Sequence, residues 1–265
     1  MNEIRLSKLV VKHENPVRYS LNTGESLVDL NALIGSKISV VFNGQIVCSC
    51  CGKNTKKSFV QGYCYKCFTS SPETEACILK PELCGAQWGE ARDLNWAKEN
   101  HLQPHVVYLS YTSNFKVGVT RKSQLPTRWI DQGAIAAIAL LEVPNRHIAG
   151  VVECFMKTHF LDKTSWKKMI SLRAEQISFR DSCELFLKHL PSEFEQYLIP
   201  NPSEAYFNYP LDLQNEVLNT INLDVEKQFE KYLMGIKGQY LIFNDGTAIN
   251  IRKYAGYMVK FNITE

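Results

Sequence analysis

The chain has 265 residues, 45% of them apolar and 22% charged, with a formal net charge of +3. This length can bury one large or two medium cores, and the composition excludes a wholly disordered or membrane-embedded chain. No stretch approaches the ~20 uninterrupted apolar residues of a membrane span, and Met1 to Val11 carries Glu3, Arg5 and Lys8 where a secretory signal would be apolar, so a cytoplasmic address without a membrane partner is expected.

Residues 1–47 read as a β segment, with SKISVVFNGQIV from Ser36 to Val47 as its clearest strand. Cysteines then crowd the chain: of nine, seven lie between Cys48 and Cys84. An odd number, so clustered, suits metal better than disulfides. CSCC at Cys48 to Cys51 and CYKC at Cys64 to Cys67 are two CxxC pairs a short hairpin apart. Each pair fits one tight turn, and two such turns close a tetrahedral thiolate shell, so Cys48, Cys51, Cys64 and Cys67 are expected to hold a structural zinc. Gly52 and Gly62 supply the backbone freedom that these turns need, and Cys50 lies inside the first knuckle.

Between the knuckles, Lys53, Lys56 and Lys57 are followed by Phe59, Tyr63 and Tyr65. Lysines interleaved with rings can hold phosphate while the rings stack on bases, which makes nucleic acid the expected partner; a soluble ribbon whose rings pack on the protein is the competing reading. Cys77, Cys84, His101 and His105 follow in the same segment, residues 48–105. They could assemble a second zinc site, although their separations match no compact knuckle and buried thiols in a loop-rich connector would have the same composition.

From Val106 the pattern changes. HVVYLSY and FKVGVT are strand-like runs joined by a polar turn, SQLPTRWIDQG predicts a short helix with Pro126 in its first turn and Gly133 as its stop, and Ala136 to Val143 predicts a third strand. PNRHIAGVVECFMKTHF predicts a helix with Ala149, Val152, Met156 and Phe160 along one stripe. Glu153 lies on the same stripe. A carboxylate on an apolar face calls for a cation, either a divalent metal or an arginine such as Arg128, unless the helix is rotated enough for it to reach solvent.

These residues carry a resemblance. Val106-Val107-Tyr108, then Val117-Gly118, Thr120 two past the glycine, an arginine in the next helix and a glutamate in the helix after the third strand resemble the GIY-YIG nuclease module over about Val106 to Phe160. KVGVTR, PTRWIDQGA and the preceding CxxC pairs are similar, over most of the chain, to the family called domain of unknown function 2797, in which a zinc ribbon is joined to a GIY-YIG-like core. The resemblance implies that Tyr108 helps to activate water, Arg128 steadies the scissile phosphate and Glu153 holds one divalent metal, magnesium or manganese. Thr120 and Arg121 would lie with the substrate, and Lys116 stands where the second motif has its tyrosine, keeping positive charge there without the phenol. The implied activity is metal-dependent endonucleolytic cleavage of DNA or RNA. A nucleic-acid-binding protein that retains Arg128 without cleaving, and a zinc-ribbon docking module, are the alternatives.

Beyond a core at 106–165, residues 166–265 predict a long amphipathic helix from Trp166 to Leu190 with Lys167, Lys168, Arg173 and Arg180 on its polar side, a further helix over Glu216 to Leu233, and a hairpin turning at Asn244-Asp245-Gly246. Strands from both ends of the chain are expected to pair. The expected class is α+β: a small GIY-YIG-like sheet with flanking helices, an N-terminal zinc ribbon and a small β layer built from both termini.

Overall fold

The structure, a computed structural model, describes residues 3–160, 165–173, 177–212 and 219–264. It is a mixed α+β fold that divides into two compact units: Met1–Thr69 together with Asn208–Glu265, and Ser70–Phe207. Residues 48–69, with the two CxxC pairs, and 70–105, taken together as one segment in the sequence, therefore belong to different units.

In the first unit the Lys37–Val47 strand sits between Tyr257–Thr264 and Gln228–Lys237, and the sheet continues through Tyr240–Phe243 and Thr247–Asn250 to Asn219–Thr220. Glu3–Arg5 closes the other edge against Tyr257–Thr264, so strands from both ends of the chain do pair. Period-2 alternation buries Ile38, Val40 and Phe42 from one strand and Phe229 and Leu233 from its neighbour. The hairpin turns at Asn244-Asp245-Gly246 as expected, with Gly246 N–H donating to Phe243 O. Val10–Lys12, Arg18–Asn22 and Leu27–Asp29 form a separate three-stranded sheet.

The expected helix over Glu216 to Leu233 is not found: residues 216–218 lie outside the described residues, Asn219–Thr220 is a strand, and Gln228–Lys237 is a strand paired on both sides. Two neighbouring strands satisfy its backbone and overrode its helix-forming lysines and glutamates.

The second unit is built on an antiparallel sheet in the order Glu204–Tyr206, Ala136–Val143, His105–Tyr111, Phe115–Arg121. The short Thr127–Asp131 helix lies between Phe115–Arg121 and Ala136–Val143 in sequence, and the Arg146–Met156 helix follows Ala136–Val143. Strand, strand, helix, strand, helix is the predicted order. Ala149, Val152 and Met156 of the latter helix pack with Val107, Leu109, Val117 and Val119 of the sheet and with Phe160, Phe179 and Phe186. The predicted long helix from Trp166 to Leu190 is instead two, Trp166–Ser171 and Arg180–His189; residues 174–176 lie outside the described residues. Leu172 turns extended, and Phe179 is drawn into the core with its ring edge-on to Phe115 at 5.2 Å. Burying that ring outweighs continuing the helix. Among the described residues no helix is long and apolar enough to cross a membrane.

Candidate functional site

Tyr108 lies in the middle of a strand paired on both sides, opposite Gly118, while Val106 faces Thr120 and Ser110 faces Lys116. Alternation places Tyr108, Ser110, Lys116 and Thr120 on one face and sends Val107, Leu109, Val117 and Val119 into the core on the other. A β-carbon on Gly118 would lie 2.6 Å from both Cζ and Oη of Tyr108. The phenol thus crosses the Gly118 backbone directly, an approach that only glycine admits.

Tyr108 is fully buried, its ring meets Trp129 edge-on at 5.8 Å, and its hydroxyl donates to Gln132 Oε1 at 3.0 Å. Burial pushes the phenol pKa up, Arg128 is the main group pulling it back, and Glu153 adds to the rise. At neutral pH the group is therefore a neutral phenol and a hydrogen-bond donor. Arg128 reaches it because the Thr127–Asp131 helix buries Trp129 and Ile130 and leaves Arg128 half-buried. Gln132 lies one turn beyond Arg128, on the same side of the helix.

The helix that carries Glu153 starts at Asn145, whose Oδ1 accepts from Ile148 N–H at 3.0 Å. Glu153 is 9% exposed, so the apolar stripe does take it inside. Burial raises its carboxyl pKa; Lys157, at 3.5 Å in the next turn, opposes that rise, as does Arg128, whereas Glu82 reinforces it. Glu82 comes from the connector, where the Pro81–Leu83 turn lies so close to the helix that a β-carbon on Gly150 would run into the backbone of Pro81 and Glu82.

Arg128 hydrogen-bonds the Tyr108 phenol, and the charge of Glu153 is felt at Tyr108 as that of Arg128 is at Glu153; Gln132 is bonded to Tyr108, Lys157 is paired with Glu153, and the charge of Glu82 also reaches Glu153. Sequence reasoning missed those last three. Gln132 and Lys157 each stand four residues after a residue that was singled out, a spacing that could have found them, but nothing local points to Glu82. Lys116 shares the face of Tyr108 and is half-buried, and Thr120 on that face is buried. Arg121 falls on the opposite face and donates to Asn100 Oδ1.

In the other unit the sulfurs of Cys48, Cys51, Cys64 and Cys67 lie within 4.8 Å of one another. Cys51 and Cys64 are 4.0 Å apart, against about 3.8 Å for two thiolates at 2.3 Å from a tetrahedral zinc. Cys64 N–H donates to Cys48 Sγ at 3.2 Å, the kind of backbone donor that steadies a thiolate. Gly62 has φ +96°, and a side chain there would also press on Ala255 O at 2.7 Å. These cysteines can hold a metal such as zinc, and Cys50 is outside the set. Lys53, Lys56 and Lys57 are exposed; Lys57 Nζ sits 5.2 Å from the centre of the Phe59 ring, and Phe59 stacks on Phe68 at 5.9 Å. Tyr65 stays open at 64% exposure.

A family model described as "Protein of unknown function (DUF2797)" matches residues 35–259. The chain belongs to that family. No curated protein and no solved structure matches it. In this DUF2797 chain the Cys48, Cys51, Cys64 and Cys67 cluster belongs to the first unit and Tyr108, Arg128 and Glu153 to the second.

Proposed function

We propose that this protein is a metal-dependent nuclease of the GIY-YIG type, cutting nucleic-acid phosphodiesters at Tyr108, Arg128 and Glu153, with a zinc-bearing ribbon that helps to hold the substrate. What supports the reading is that a phenol, a guanidinium and a buried acid from three separate elements influence one another electrostatically, with the guanidinium hydrogen-bonded to the phenol. A planar guanidinium matches phosphate oxygens in pairs and neutralises the charge that grows on them as the bond to the leaving oxygen breaks. Tyr108, a neutral phenol whose single O–H goes to Gln132, orients Arg128 by accepting from its guanidinium at the same oxygen, since burial opposes its ionisation. Glu153, with Glu82 beside it, offers the hard oxygen donors that magnesium or manganese takes, and Lys157 supplies positive charge at the same carboxylate. The ion would supply Lewis acidity at the phosphoryl oxygens. In the ribbon, the sulfur spacing and the backbone donor to Cys48 support zinc over any harder ion.

A second reading, binding without cleavage, is favoured by Lys116 in place of the second motif's tyrosine and by the complete burial of Tyr108. Purified protein offered plasmid DNA and structured RNA with magnesium or manganese separates the two. The nuclease predicts nicking that Glu153→Ala and Arg128→Ala each lower by about 10²-fold or more while binding survives. No nicking, or cutting by Glu153→Ala at the parental rate, overturns it; salt-sensitive binding alone supports the second reading, and indifference to both polymers would leave docking to a protein.

A further inference from the structure

We propose that Cys77, Cys84 and His101 form a second zinc site, separate from the ribbon, which holds the connector between residues 70 and 104 in shape. The three ligand atoms lie within 4.8 Å of one another and all three residues are buried. His101 Nδ1 is 3.4 Å from Cys84 Sγ and 3.9 Å from Cys77 Sγ. A sulfur and an imidazole nitrogen on one tetrahedral zinc stand about 3.5 Å apart, so the observed pair brackets the required spacing.

The packing gives an independent reason. The buried cluster of this connector consists of Cys77, Cys84, Ala86 and Ala97. Several of its larger apolar side chains face outward: Leu79, Leu83, Trp88 and Leu94 are all exposed. Two alanines and two thiols cannot supply the apolar burial that holds a loop-rich segment together, and segments so built are ordinarily closed by a metal or a disulfide. Two thiolates and an imidazole select zinc among common ions. Glu75 Oε2 lies 4.0 Å from Cys77 Sγ but is outside the cluster of three ligand atoms. His105, grouped with these residues by sequence, is not a member of the cluster; its Nδ1 donates to Gln103 O at 2.7 Å.

The site bears on its neighbours. Arg146, in the first turn of the helix that carries Glu153, donates to Cys77 O and Ile78 O, both at 2.9 Å, and its own N–H donates to His101 O at 2.8 Å. Metal at Cys77 and His101 would therefore fix the start of that helix and the turn that presents Glu82. The inference does not depend on nuclease activity.

Native mass spectrometry of the full chain tests it by zinc stoichiometry. Two zinc ions are expected in the parent, one in Cys77→Ser/Cys84→Ser, one in Cys51→Ser/Cys64→Ser, and two in His101→Cys, which exchanges one zinc ligand for another. A single zinc in the parent that Cys77→Ser/Cys84→Ser retains, two in Cys77→Ser/Cys84→Ser, or a Cys77–Cys84 disulfide in place of metal overturns the proposal. If Cys77→Ser/Cys84→Ser fails to fold, zinc-edge X-ray absorption on Cys51→Ser/Cys64→Ser decides: two sulfur and at least one nitrogen neighbours are expected, and either four sulfurs or no bound zinc refutes the site.

Discussion

Replacing Gly118 with alanine measures how tightly Tyr108 is held. The new methyl would lie 2.6 Å from Cζ and Oη and 2.9 Å from Cε2, whereas carbon atoms rest at about 3.5–4.0 Å. The ring must retreat by about 1 Å, yet it is fully buried, with Trp129 against it and its hydroxyl bound to Gln132 at 3.0 Å. Overpacking of this kind costs about 1–3 kcal/mol, and stretching the Gln132 bond adds about 1 kcal/mol. Reduced freedom of the unfolded chain returns about 0.4–1 kcal/mol. The net expectation is a loss of about 1–3 kcal/mol, a fall in Tm of roughly 2–10 °C. Thermal and urea unfolding of Gly118→Ala, Tyr108→Leu and the double variant form the cycle. In the Tyr108→Leu background the alanine should be nearly free of penalty, a coupling of about 1 kcal/mol or more. Equal stability of Gly118→Ala and parent, or additive losses, would refute the contact. Under the nuclease reading the same displacement also lowers cleavage by about 10²-fold.

Lys237 is fully buried with its ammonium 5.1 Å from the Tyr209 ring centre, and burial brings its pKa down from 10.5 to about 7. Between these values the unfolded chain binds the proton and the folded chain does not, so stability is fully present above the unfolded value and is lost as pH falls through the folded one. Urea unfolding from pH 7.5 to 9.5 should show a gain from this group of about 1.4 kcal/mol per pH unit that Lys237→Met abolishes; equal slopes in both proteins would refute it. For nucleic-acid binding, combining Lys53→Ala, Lys56→Ala and Lys57→Ala should flatten the plot of log affinity against log salt by about 1 for each lysine that meets a phosphate. An unchanged slope removes the ribbon lysines from the interface.

The parts legible in the sequence are those whose cause is local. Two CxxC pairs specify their own turns, and Glu153 announced its burial by standing on an apolar stripe that the core does cover. Tyr108 and Arg128 were legible through a resemblance, and the antiparallel register then explains why Gly118 must face the ring. What escaped depended on distant partners. Lysines and glutamates around Gln228 to Lys237 favour a helix in isolation, but Lys37–Val47 on one side and Tyr240–Phe243 on the other make the segment a strand. A register shift between Leu233 and Gly235 also breaks the alternation that would have marked it. Phe179 interrupts a helical pattern for a pocket formed by residues far away, and Glu82 joins Glu153 through backbone packing at Gly150 that no spacing records.

Because the first unit draws on both ends of the chain, its assembly on the ribosome is deferred. Lys37–Val47 emerges early, but its neighbours Gln228–Lys237 and Tyr257–Thr264 follow only after the whole of Ser70–Phe207, a delay on the order of 10–40 s at ordinary translation speed. Throughout that interval a long apolar strand has both flanks open, which makes the nascent N-terminal segment, rather than the contiguous middle unit, the part most in need of shielding by a chaperone.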